Sequence, residues 1–210
     1  MDSRTLLEKI EWALREPLPG IPAQLAMAPE PRRGHKAYFE VEGSCLKAGV
    51  LVLLFERAGQ LRLLLTQSAD RLLHHRGQIS LPGGEQQPGE SAEATGLRET
   101  EEELGLVLEG ATILGRLTPL YIPPSNFCVY PTVVFFAGTP VVRPQPDEVA
   151  EVIEFPLQCL ADPLSRRRET WTIEGRTVSV PFYEFAGYKI WGATAMILAE
   201  LAALLEKMLD

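Results

Sequence analysis

The sequence predicts an α+β fold, a mixed β-sheet with helices packed on it. Three observations carry this expectation. Short β-rich apolar runs recur between glycine and proline turns, as at residues 49–56 and 61–66. Helical spacing of apolar residues is confined to stretches near the start, the middle and the end, at 3–16, 90–104 and 190–208. Strands and helices do not alternate regularly, as a wholly parallel sheet of βαβ units would require.

The elements follow in order. In residues 3–16, Leu6, Leu7, Ile10 and Leu14 share one helical face, and Ser3 is the candidate cap. Residues 17–34 hold Pro17, Pro19, Pro22, Pro29 and Pro31 and read as an irregular connector. This divides the chain into an arm, 1–34, and one domain, 35–210. A strand is expected at 37–41. The runs at 49–56 and 61–66 form a hairpin, and 67–89 reads as loop, punctuated by Pro82-Gly83-Gly84 and Pro88-Gly89. Residues 90–104 are rich in Glu, Ala, Leu and Arg, and Gly105 ends that helix. Strands are expected at 106–120, 128–136 and 149–155, with loops at 121–126 and 143–147. A late hairpin spans 170–173 and 177–185. The helix at 190–208 puts Leu198, Leu201, Leu205 and Met208 on one side.

The chain has 210 residues, 46% apolar and 23% charged, which suits one large domain with a terminal addition and excludes disordered and fibrous classes. Lys plus Arg number 20 against 28 Asp plus Glu, a formal charge of −8, so no nucleic-acid partner and no membrane partner is expected. Cys45, Cys128 and Cys159 are odd in number and far apart, forming neither a zinc spacing nor a disulfide framework. A reducing compartment, and so a cytoplasmic protein, is expected. The first residues carry charges throughout and lack the apolar core of a secretory signal.

The chemistry concentrates between Leu81 and Leu106. A helix turns about 100° per residue, so Glu99, Glu102 and Glu103 lie on one face, while Leu97 and Leu104 point away toward a core. Like charges at this spacing repel by a few tenths of a kcal/mol per pair. Alone, such a run reads as a solvated acidic face. Here Pro82-Gly83-Gly84 precedes it, and those glycines let backbone approach the helix and a ligand. Arg98, four residues before Glu102, is placed to pair with it.

The whole pattern resembles the Nudix box: Gly84, Glu90, Arg98-Glu99, Glu102-Glu103 and Gly105-Leu106 stand at its spacing. One departure is Thr100, where the family has an aliphatic residue. The resemblance implies the Nudix fold, a mixed β-sheet sandwiched between helices (α/β/α). It also implies hydrolysis of a nucleoside diphosphate derivative with Mg2+ or Mn2+. Glu99, Glu102 and Glu103 would be the metal ligands. Glu90 and Arg98 would hold loop to helix and orient Glu102. The base that accepts the water proton would be Glu102 or an outside glutamate, with Glu148 and Glu151 as candidates.

The upstream segment resembles the coenzyme A pyrophosphatase branch of that family. Leu64, Leu65, Thr66, Ala69, Gly77, Pro82, Gly83 and Gly84 fall in register, as do residues 146–152 and 190–195. The branch has arginines where this chain has Ser68 and Leu73, and an aromatic where it has Leu81. Arg71, His74, His75 and Arg76 lie in the same loop, and Arg71 and Arg76 are the substrate-binding candidates with Gly83, Gly84 and Asn126. The expected substrate is coenzyme A or an acyl-coenzyme A. Alternatives are ADP-ribose, a dinucleoside polyphosphate, or a non-catalytic nucleotide sensor. Arg166-Arg167-Arg168 reads as solvated surface, and Trp171, Phe182 and Trp191 as core. The sequence leaves monomer and homodimer open.

Overall fold

The computed structural model describes residues 2–31, 44–69, 77–173 and 175–209. Helix α1 (Ser3–Ala13) and the short α2 (Gly20–Leu25) precede β1 (Leu46–Arg57), which turns through Ala58-Gly59 into β2 (Gln60–Ser68). Two short strands, β3 (Ile79–Ser80) and β4 (Gly83–Glu85), lead into α3 (Ala92–Leu104). Strands β5 (Thr112–Arg116), β6 (Leu120–Ile122), β7 (Phe127–Phe136) and β8 (Val149–Pro156) follow. After two single 3-10 turns come β9 (Arg166–Ile173), β10 (Arg176–Phe185) and β11 (Tyr188–Trp191), then the long α4 (Gly192–Leu209).

The main sheet runs β3-β2-β1-β7-β5, with β4 on β1, β6 on β7 and β8 on β2. It is mixed: β1 and β7 are parallel from Leu46↔Phe127 to Phe55↔Phe136, and β1 is antiparallel to β2 and β4. The antiparallel trio β11-β10-β9 forms a second sheet.

Strand β1 is central and is buried on both faces, which is why it reads as a nearly continuous apolar run. Leu51, Leu53 and Phe55 join Leu104, Leu106 and Val134 under α3. Val52 and Leu54 join Ile10, Leu198, Leu201 and Leu205 under α1 and α4. Met27 and Ala28 of the connector are in that second cluster, so the arm shares the domain's core. Close approach of α3 needs glycine: a Cβ on Gly49 would stand 2.0 Å from the Ala92 carbonyl oxygen. Among the described residues, one acidic side chain is buried in the core. Glu200 of α4 is fully buried.

Several expectations are corrected. Asp2, not Ser3, caps α1, accepting from the Thr5 amide at 2.9 Å, while the Ser3 hydroxyl donates to the Gly59 carbonyl. The connector contains α2, because residues 20–25 carry helix formers around Pro22, which sits in the first turn where its missing N–H costs nothing. The single strand expected at 106–120 is instead a loop that buries Leu106 and Leu108 and turns at residues 109–110, followed by β5 and β6. The last helix begins at Gly192, since residues 188–191 pair with β10. The strand expected at 37–41 lies outside the described residues.

The cysteine reading is also corrected. Cys45 and Cys128 form a disulfide, with Cα atoms 5.8 Å apart. Parallel pairing of β1 with β7 sets Lys47 beside Cys128 and so brings Cys45, two residues earlier, to the same strand end. Counting cysteines along the chain does not see this adjacency across 83 residues, and the count supports no argument for a reducing compartment. None of the described helices is long and apolar enough to cross a membrane.

Candidate active site

Helix α3 is set at both ends by local chemistry. Ser91 caps its start, accepting from the Ala94 amide at 3.2 Å. Gly105 ends it in the left-handed region at φ 57°, where a side chain would also strike the Arg143 carbonyl oxygen. The loop after β7 satisfies the last carbonyls. Arg143 N–H donates to Leu104, Gln145 N–H to Glu103, and the Gln145 carboxamide to Glu102 at 2.8 Å. This fastening brings Glu148 against the glutamate face. Thr100, at the box's aliphatic position, is fully buried, with its hydroxyl donating to the Gly96 carbonyl at 2.7 Å.

Arg98 is the hub of the face. It grips Glu90 with both prongs, Nε to Oε1 at 2.7 Å and Nη2 to Oε2 at 3.0 Å. Its Nη1 reaches Glu99 at 2.6 Å and Glu102 at 3.1 Å. Glu90 also accepts from the Gln87 amide and the Thr95 hydroxyl. The guanidinium, with these donors, holds the Glu90 carboxyl down to about 2, and the carboxylates raise Arg98 further above its usual range. The Arg98, Glu90 and Glu99 side chains are about a fifth exposed, whereas Glu102 is 56% exposed, the most open of the group.

Glu103 faces inward beside β4. Burial pushes its carboxyl up to about 7; the Gly83 N–H, donating at 3.3 Å, opposes this, and Glu148 and Glu99 add to it. Glu99 lies flat on Gly84, where a Cβ would come within 2.5 Å of its carboxyl. The donor chemistry, several carboxylates on one face beside backbone glycines, fits a hard divalent cation. Among the described residues no three such side chains stand at ligating distance from one point. In this arrangement the Arg98 guanidinium occupies the position between Glu99 and Glu102.

A cavity of about 680 Å³ opens beside this face. Gly83, Gly84 and Glu85 form its border with α3, and Val50, Ile79, Leu120, Ile122, Phe127 and Val129 line its floor. The opposite wall comes from Trp191, Thr194, Met196 and Ile197 and from Ile173 and Val178 of the β9–β10 hairpin. Its described lining is predominantly apolar, and Glu85 is the one formally charged side chain in it.

The structure thus gathers Glu90, Arg98, Glu99, Glu102, Glu103 and Glu148 on one face and Gly83 and Gly84 at the cavity border. Glu151 stands apart, accepting from the Tyr188 hydroxyl at 2.5 Å. Asn126 does not line the cavity. It holds a left-handed turn at φ 56°, accepts from Tyr121 and donates to the Ser44 carbonyl, while its neighbours Ser125 and Phe127 line the wall. Arg71 and Arg76, like His74 and His75, lie outside the described residues. Arg167 and Arg168 are exposed ion-pair partners of Glu184 and Glu30. Trp171 stacks on Phe182, but Trp191, expected in the core, lines the cavity. Sequence reading also missed Gln145, whose role depends on a loop meeting a helix end, and Pro29 and Pro31, which line the cavity as well.

A mixed sheet carrying this box on a helix against its central strand defines a class. The family model of the NUDIX domain matches residues 46–173, more than half of the chain. The chain belongs to the Nudix hydrolase family, and its α+β architecture is the Nudix fold. It is 33% identical over 166 residues to the peroxisomal coenzyme A diphosphatase NUDT7 of Mus musculus, covering 76% of this chain and 70% of that protein. It is also 33% identical to Nudix hydrolase 22, chloroplastic, of Arabidopsis thaliana, covering 74% of this chain and 54% of that protein, so it spans about half of that relative's length. Among solved structures, a MutT protein from Methanosarcina mazei Go1 matches with a TM-score of 0.52 at 18% identity, over 80% of this chain and 99% of that one. That likeness bears on the fold.

Proposed function

We propose that this Nudix domain is a divalent-metal-dependent pyrophosphohydrolase acting on coenzyme A or its acyl esters. The products are 3′,5′-ADP and 4′-phosphopantetheine or its acyl form. One observation carries the substrate reading. Gly83 and Gly84, which touch the carboxylate face, also border a cavity whose described lining is predominantly apolar. A pyrophosphate held at that face sends one half of its molecule into the cavity. A second charged nucleotide would be desolvated there without partners, whereas a pantetheine arm with an apolar end is not. The similarity to a coenzyme A diphosphatase supports the same reading.

Each residue then has a task. Glu99, Glu102 and Glu103 would hold Mg2+ or Mn2+, which would supply charge neutralisation at the phosphoryl oxygens and activation of the attacking water. Arg98, anchored by Glu90, orients Glu102. Water oxygen attacks one phosphorus, the bridging P–O bond breaks, and its electron pair leaves with the other phosphate. Glu148, exposed on the loop fastened to the end of α3, accepts the water proton. Gly83 and Gly84 let the pyrophosphate approach the backbone.

A second reading has its own observation. Ser68 lines the cavity where the coenzyme A branch has arginine, and this favours another diphosphate such as ADP-ribose. Incubation of the protein with coenzyme A, acyl-coenzyme A, ADP-ribose and a dinucleoside polyphosphate, each with Mg2+ or Mn2+, followed by chromatography, separates the two. Release of 3′,5′-ADP from coenzyme A is the expected result. Intact coenzyme A beside cleaved ADP-ribose would overturn the first reading.

A further inference from the structure

The connector between α1 and β1 is fastened at two places, one at α2 and one at Glu30. At the first, the buried carboxylate of Glu200 accepts four hydrogen bonds: from Gly20 N–H at 2.9 Å, Gln24 Nε2 at 3.0 Å, Thr118 N–H at 2.9 Å and the Thr118 hydroxyl at 2.6 Å. These donors belong to α2 and to the segment joining β5 to β6. Gln24 completes the set by donating to the Thr118 carbonyl at 2.7 Å. At the second, Glu30 and Ser179 exchange backbone hydrogen bonds at 2.8 and 2.6 Å, which ties the connector to β10. Between these ties Met27 and Ala28 are buried and Pro29 lines the cavity, as does Pro31 just past the second tie.

An isolated buried carboxylate is costly unless donors satisfy it. Here the donors converge from two segments onto one side chain, so the carboxylate fixes where the connector begins its run along the cavity. Proline at positions 29 and 31 stiffens the run that follows.

We propose that the connector is a wall of the substrate pocket and that Glu200 is a positioning residue that sets substrate affinity through it. This rests on the reading that the cavity receives the non-nucleotide half of the substrate. Glu200 touches neither substrate nor metal in this account. Its effect passes through α2 to Pro29 and Pro31, and so falls on binding more than on chemistry.

The test is steady-state kinetics of the full chain with Mn2+ and a panel of coenzyme A, butanoyl-coenzyme A and ADP-ribose, for wild type, E200Q and P29W. E200Q replaces an acceptor with a donor facing donors and loosens the latch. P29W leaves the latch intact and pushes bulk into the pocket. In both, KM for the panel member that wild type cleaves best should rise about tenfold, while kcat falls by less than about threefold. KM unchanged in folded P29W overturns the proposal. So does a fall in kcat with KM retained, which is the signature of a smaller folded fraction. Should E200Q fail to fold, P29W decides by the same criterion. If wild type cleaves ADP-ribose and leaves coenzyme A intact, the substrate reading fails and the wall is still judged from KM for ADP-ribose.

Discussion

A cluster of acidic side chains and one buried carboxylate lie on opposite faces of the central sheet, and they are satisfied in opposite ways. On the α3 face, Glu90, Glu99 and Glu102 share one guanidinium, and Glu102 remains half exposed. On the α4 face, Glu200 is fully buried and held by amide and hydroxyl donors. The first is an excess of negative charge around a single guanidinium. The second has its four hydrogen bonds made by fixed groups of the fold. Carboxylates crowded at a surface are suited to exchanging ions, and a carboxylate saturated by neutral donors is suited to fastening segments.

If that contrast holds, substitutions on the two faces separate activity from stability. E102Q should lower kcat by about 10³-fold or more while leaving the unfolding midpoint within a degree or two of wild type, checked by kinetics and thermal melts. R98K keeps the charge but loses the fork that joins Glu90 to Glu99 and Glu102. It should cost about 10- to 100-fold in activity. E200A should keep kcat within about threefold, raising KM instead, and should cost about 2–4 kcal/mol of stability in a urea titration because it leaves buried donors unpaired. A stability loss in E102Q as large as that in E200A would erase the distinction.

The pH response sharpens it further. Glu103 has its pKa raised in the fold to about 7, so it contributes stability below its unfolded value of 4.5 and loses it as pH rises through 7. Metal-free protein should therefore melt a few degrees lower at pH 8 than at pH 6, and Mg2+ should narrow that gap. Glu90 runs the other way. Its pKa is depressed from 4.5 to about 2, so its contribution is present above pH 4.5 and is lost as pH falls toward 2. The stability difference between wild type and E90Q should be measurable at pH 6 and should vanish near pH 2.

How much of this was legible in the sequence depends on whether a feature is local. The α3 helix, its Gly105 stop and the alignment of Glu99, Glu102 and Glu103 follow from spacing along a single helix. The β1–β2 hairpin follows from two apolar runs and a glycine turn. What escaped is made by segments distant in the chain. The disulfide needs the parallel β1–β7 pairing, the placement of Glu148 needs Gln145 on the α3 carboxyl end, and the connector's role needs Glu200, 180 residues after Gly20. Trp191 looked like core because a large aromatic before an apolar helix usually is. The structure instead sets it at a cavity wall, edge-on to Trp171 at 5.2 Å.

Diffraction from crystals soaked in Mn2+, recorded at a wavelength where manganese scatters anomalously, would examine the α3 face itself. The account predicts a peak bounded by carboxylate oxygens of Glu99, Glu102 and Glu103, next to Gly83 and Gly84, with the Arg98 guanidinium drawn back toward Glu90. A map with no manganese there at millimolar concentration, or with Arg98 still bridging Glu99 and Glu102, would contradict it.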